Sequence, residues 1–137
     1  MKRILPYFTA LILLLGCKKA KEQIAEQAAG SFLDGTEWKV TAFSEGSNNL
    51  DGAFQPYHFR FNKNNTVDAI RSNATEATGS WKADVVARTI ESQFNATAVH
   101  PLPLLSTRWN ITKNTLTTLS ATATVSGVVR TLRMEKL

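Results

Sequence analysis

The chain has 137 residues, enough for one domain around one core. Its formal net charge is +5, but the lysines and arginines are spread along the sequence rather than clustered among aromatics, which argues against nucleic-acid binding. The single cysteine, Cys17, excludes a disulfide framework and a multi-cysteine metal site.

Met1, Lys2 and Arg3 make a positive start, and Ile4 to Leu15 is an apolar run interrupted only by Pro6 and Thr9. A membrane-spanning helix needs about 20 apolar residues. This shorter run reads as the core of a signal peptide. The segment Leu14-Leu15-Gly16-Cys17 resembles a bacterial lipobox, which implies acylation of the Cys17 thiol and cleavage just before it. Residues 1–16 are then a lipoprotein leader, and no free thiol remains for disulfide, metal or nucleophilic chemistry. Buried acyl chains contribute about 0.8 kcal/mol per methylene, so the membrane is engaged through lipid on Cys17. Lys18 after the cysteine resembles the sorting signal for the outer membrane of diderm bacteria, and the expected location is the cell envelope.

Residues 17–35 follow as the lipidated cysteine and a tether. Lys18 to Asp34 is small and polar, with Ile24 the only large apolar residue before Phe32. Ala20 to Ala29 has good helix propensity but no apolar stripe to bury, so this stretch reads as a flexible or transiently helical spacer.

The domain is expected over residues 36–137, where period-2 alternation takes over. Trp38, Val40 and Ala42 share one face of a first strand. Ser44 to Gln55 is rich in Ser, Gly and Asn and reads as a long loop. Tyr57, Phe59 and Phe61 alternate with His58 and Arg60 in a second strand. Asn62 to Asn65 is a turn of residues that tolerate positive φ, and Thr66 to Ser72 returns as a third strand.

Gly79 to Ala83 opens a fourth strand and Thr89 to Phe94 is a fifth. Pro101 and Pro103 remove two ladder donors, so Val99 to Ser106 reads as an apolar crossover packed over one end of the sheet. Thr107 to Thr112 is a sixth strand. Lys113-Asn114 turns into Thr115 to Val125, with a bulge expected near Thr117. Ser126-Gly127 turns into the last strand, Val128 to Lys136. Eight short antiparallel strands, each with one apolar face, predict an all-β, up-and-down barrel, with a sandwich as the alternative.

Several of these elements together resemble the small lipocalin-like lipoproteins of Bacteroidetes-type bacteria. They are Gly35-Thr36-Glu37-Trp38-Lys39-Val40, the Tyr57 to Phe61 strand, Gly79-Ser80-Trp81, the Leu102 to Leu105 link and Thr107-Arg108-Trp109-Asn110-Ile111. The resemblance implies a lipocalin-like barrel. It departs from true lipocalins in the two residues between the first Gly and Trp, and in a shorter domain. Both departures argue against a roomy cavity.

No catalytic constellation accompanies this pattern. His58 and His100 stand far apart with no ligand-spaced partners, whereas a metal site needs three or four converging groups. There is no Gly-x-Ser-x-Gly elbow, no phosphate loop and no carboxylate pair. The chain reads as non-enzymatic, without metal or cofactor. Its Asn-x-Thr triplets read as turn and strand residues.

Trp38 and Trp81 read as core aromatics with their indole N–H groups bonded. Arg130 shares parity with Leu132 and Met134, which points it inward, where an unpaired charge is expensive. It either snorkels at the barrel mouth or meets an anionic ligand group. Face parity nominates Tyr57, Phe59, Phe61, Trp109, Leu119 and Arg130 as the lining of a site for a small apolar or amphipathic ligand at the open end. The rival expectation is a solid-cored module that docks on, or inhibits, another envelope or extracellular protein through its loops, chiefly Ser44 to Gln55. A void inside the barrel favours the first and a filled interior the second.

Overall fold

The alternating segments form strands in the computed structural model, which describes residues Phe32–Leu137. The leader, Cys17 and the tether as far as residue 31 lie outside the described residues. Nine strands run β1 (Thr36–Glu45), β2 (Asn48–Asn49), β3 (Tyr57–Phe61), β4 (Thr66–Arg71), β5 (Ala74–Asp84), β6 (Thr89–Phe94), β7 (Arg108–Asn114), β8 (Thr118–Val125) and β9 (Val128–Lys136). A four-residue helix, α1 (Asp51–Phe54), follows β2, and a 3-10 turn (Leu102–Leu105) lies between β6 and β7.

Every neighbouring pair is antiparallel in the order β2-β1-β3-β4-β5-β6-β7-β8-β9, and β9 pairs back onto β1 from Trp38↔Lys136 to Glu45↔Arg130. That last pairing closes the sheet. The two residues of β2 form only a hairpin arm on β1, so eight strands make an up-and-down barrel. Among the described residues closure leaves no long unpaired edge, which removes a route to edge-to-edge aggregation.

The strand ends differ from the sequence reading in four places, each with a local cause. In β1 a register shift between Val40 and Ala42 turns Phe43 inward in place of Ala42, so Trp38, Val40 and Phe43 are the buried residues. β5 begins at Ala74, five residues before Gly79, because Ser72 and Asn73 both take positive φ in a two-residue turn.

The β7–β8 turn falls at Thr115–Thr117 rather than Lys113-Asn114. The Thr115 hydroxyl accepts the backbone N–H groups of Thr117 at 3.2 Å and Thr118 at 3.0 Å. The irregularity expected near Thr117 lies instead in β7, between Ile111 and Lys113. Finally, Ser44 to Gln55 is not one loop. β1 continues through Glu45, β2 pairs back on it, and Asp51 Oδ1 accepts the Phe43 backbone N–H at 2.7 Å to hold α1 in place.

Both ends of the barrel are covered. At the end where Phe32 enters, Leu33 is fully buried and Phe32 meets Trp38 edge-on at 5.6 Å, so packing starts inside the stretch assigned to the tether. Thr36 ties this corner together: its hydroxyl donates to the Leu33 carbonyl at 2.6 Å and accepts the Trp38 indole N–H at 2.7 Å. At the opposite end Phe54 of α1 is fully buried, 4.7 Å from Phe43, and the Leu102–Leu105 turn buries Leu102 completely. The prolines expected to break a strand there do so.

Candidate functional site

The barrel axis is the place to look for a ligand site, since inward residues of every strand meet there. Aromatic rings occupy most of it. Phe43 contacts Trp109 at 6.0 Å, Phe59 contacts Tyr57 and Phe94 at 6.3 Å, and Phe61 meets Trp81 edge-on at 5.4 Å. Each indole N–H has an acceptor: Thr36 for Trp38, the Asn62 carbonyl for Trp81 at 3.3 Å and the Leu105 carbonyl for Trp109 at 3.1 Å. With these polar handles bonded, all three tryptophans are buried as packing residues.

A void of about 30 Å³ remains among them. Phe59, Phe61, Trp109 and Leu119, four of the six residues nominated by parity, line it. Phe94 and Met134 are prominent among the lining residues that were not nominated, although their alternation in β6 and β9 marks them as inward. The one polar side chain in the lining is Ser92, whose hydroxyl donates to the Leu105 carbonyl at 2.5 Å. The wall therefore offers a ligand no free polar group. Sites for small molecules usually enclose about 300–1,000 Å³, and an apolar space of this size stays dry.

Tyr57 and Arg130 lie apart from the void. Arg130 stands at the barrel end that α1 and the Leu102–Leu105 turn cover. Its Nε donates to Glu45 Oε2 at 2.6 Å and its Nη1 to the Leu104 carbonyl at 3.2 Å. The inward charge foreseen from parity is thus neutralised by a carboxylate 85 residues away in sequence, and a main-chain oxygen takes a further N–H. The side chain is 14% exposed, so the pair is partly desolvated and pins the Leu102–Leu105 turn to the end of β1.

Tyr57 is 2% exposed, and its hydroxyl, with Glu76 and Arg71 as polar neighbours, closes no hydrogen bond of good geometry among the described residues. Arg71 lies over its ring at 5.7 Å. Burial pushes the phenol above its ordinary value, and the nearby Glu76 carboxylate pushes the same way against the opposing Arg71. An unpartnered buried hydroxyl is a cost to the fold. Tyr57→Phe is therefore expected to leave stability unchanged or raise it by up to about 1 kcal/mol, measured as the urea midpoint at constant slope. A loss above about 1 kcal/mol would show that the hydroxyl is bonded in solution.

His58 and His100 are not brought together. His58 Nε2 is 3.4 Å from Glu37 Oε2 on the outer wall, where Arg60 donates to the same carboxylate at 2.6 Å and 2.9 Å. Among the described residues, no group of three or more His, Cys, Asp or Glu converges.

A closed, eight-stranded, up-and-down antiparallel barrel with a packed interior is the class these observations define. No family model and no curated protein matches the chain. Among solved structures it is similar to that of a DUF4847 family protein from Bacteroides vulgatus ATCC 8482. The sequences are 13% identical, the TM-score is 0.55, and the match covers 78% of this chain and 96% of that one. A protein from Burkholderia xenovorans solved by NMR gives 13% identity and a TM-score of 0.45, covering 80% of this chain and 87% of that one. The likeness to the Bacteroides structure is one of fold.

Proposed function

We propose that the protein is a lipid-anchored, non-enzymatic module of the cell envelope that works through the outside of its barrel, by docking on another envelope protein. The packed interior carries this reading. A carrier of apolar ligands needs a void of ligand size, and the space here is about a tenth of the smallest usual site. Both barrel ends are also covered by buried side chains, Leu33 at one and Phe54 and Leu102 at the other. The anchoring half of the proposal rests on the lipobox-like Leu14-Leu15-Gly16-Cys17 and the charged start before it. Lys18 favours the outer membrane as the site of anchoring.

Native mass spectrometry of the mature protein, extracted from its host in mild detergent, tests both halves. The expected spectrum shows covalent acyl mass on Cys17 and no further adduct that disappears on denaturation. A reproducible non-covalent adduct would restore the carrier reading, with Phe59, Phe61, Trp109 and Leu119 as its wall. An unacylated Cys17 would remove the anchor while leaving the barrel's role open to the same test.

A further inference from the structure

We infer that the barrel end at which Phe32 enters is a membrane-facing surface that seats on anionic lipid headgroups. Successive strands alternate in direction, so the β3–β4, β5–β6 and β7–β8 turns and the end of β9 all lie at this one end. Exposed cations stand in or beside them: Lys63 and Arg88 in the first two turns, Lys113 next to the last residue of β7 and Lys136 at the end of β9. None of the four has a carboxylate within 4.0 Å among the described residues. Every other described lysine and arginine except Lys39 does have one. Lys39, half-buried in β1 opposite Glu135, lies toward the same end. Asp34, Asp68 and Asp84 are the acids toward this end without a cation within 4.0 Å. Asp68 accepts from the Asn62 amide at 3.0 Å and the Thr78 hydroxyl at 2.8 Å, and Asp84 Oδ1 is engaged by the Ala87 backbone N–H at 2.9 Å. The five described cations without a carboxylate within 4.0 Å all lie toward this pole, where they outnumber the three unpaired acids.

Apolar side chains stand beside these cations. The opposite end also exposes Val99, Val128 and Val129, but its cations Arg71, Arg108 and Arg130 are each paired with a carboxylate. Here Val86 is 73% exposed in the β5–β6 turn, Leu116 is 79% exposed in the β7–β8 turn and Leu137 is 66% exposed next to Lys136. Burying any of them inside the barrel would be favourable, yet each is held out at a tip. A cation next to an exposed apolar residue suits a bilayer surface, where the apolar group enters the headgroup boundary and the cation meets phosphate. The described chain begins at this pole, and Lys21, Lys19, Lys18 and Cys17 precede it in the sequence. The direction of approach rests on the anchoring reading. The charge and apolar pattern do not.

The test uses the mature lipidated protein reconstituted in phosphatidylcholine vesicles with or without phosphatidylglycerol. With Cys17 acylated, Leu116→Cys supplies the one free thiol for an environment-sensitive fluorophore, and Val129→Cys supplies it at the opposite pole. The Leu116→Cys label is expected to shift to the blue and to be quenched by headgroup-attached nitroxide lipids in phosphatidylglycerol vesicles. High salt should relieve this, and so should Lys63→Gln, Arg88→Gln, Lys113→Gln and Lys136→Gln together. The Val129→Cys label should remain unquenched.

Equal quenching at both positions, or quenching at Leu116→Cys indifferent to lipid charge and to the four substitutions, would overturn the inference. Thermal unfolding of the fourfold variant should match that of the parent, since all four side chains are exposed. Intact mass reports separately on the anchor. If Cys17 proves unacylated, co-sedimentation of the same protein with the two vesicle types tests the surface alone. The four substitutions are then expected to weaken binding on the order of a thousandfold. Unchanged sedimentation would overturn the surface, independently of the anchor.

Discussion

Phe59→Ala is expected to destabilise the barrel by about 3–5 kcal/mol and to lower its melting temperature by about 12 °C or more. Phe59 is 1% exposed at the middle of β3, between the rings of Tyr57 and Phe94, and it also forms part of the wall of the 30 Å³ void. Truncation removes the transfer energy of a whole ring. It also joins the vacated space to the existing void, in a wall of closed, hydrogen-bonded strands with little freedom to collapse. The merged cavity would be apolar and roomy enough for benzene. Benzene should accordingly raise the melting temperature of Phe59→Ala and leave the parent unaffected, by preferential binding to the folded form. A stability loss below about 1 kcal/mol would mean that Phe59 lines a space already open in solution. The packed-interior argument for an externally acting module would then fail.

Elements whose two faces differ in polarity were legible in the sequence. Tyr57, Phe59 and Phe61 face inward as their spacing requires, and so do Leu119, Ala121 and Ala123. The first half of β5 was not, because Ala74 to Thr78 presents no buried residue on either side and so carries no period. Its one signal was local: Ser72-Asn73, a pair able to take positive φ in a two-residue turn. The shift at Thr41 was hidden because Val40-Thr41-Ala42-Phe43 alternates acceptably in either register until β9 selects one.

Long-range partners were invisible for the same reason. Parity correctly pointed Arg130 inward, but nothing near it in sequence names Glu45 or the Leu104 carbonyl. Sequence could nominate part of the lining, Phe59, Phe61, Trp109 and Leu119; it could not say how completely the inward rings, together with Phe54 and Leu102, would fill and cover the space. The site's residues were therefore easier to read than its volume, and the volume decides between carrier and docking module.

Gly79→Ala should cost about 1–3 kcal/mol, although it adds a single methyl group to a residue in mid-strand. Gly79 is paired with Phe94 across the β5–β6 ladder. A Cβ there would lie 2.5 Å from the Gln93 carbonyl oxygen and 3.1 Å from both the Gln93 carbonyl carbon and the Phe94 Cα. All three are main-chain atoms of the neighbouring strand, so no side-chain rotation relieves the contact and the ladder itself must move. Glycine within a strand commonly marks a tight bend in a barrel wall or a close backbone approach, and this is such an approach. Gly52→Ala is the matched control. It lies in α1 with no atom within 4 Å of the added methyl, so it should be neutral or stabilising by up to about 1 kcal/mol. Urea unfolding of the two variants side by side separates steric crowding from the general effect of losing a glycine. Equal midpoints would show that β5 and β6 stand further apart in solution. The predicted gap instead ties closure of the wall next to Trp81 and Phe94 to the absence of one methyl group.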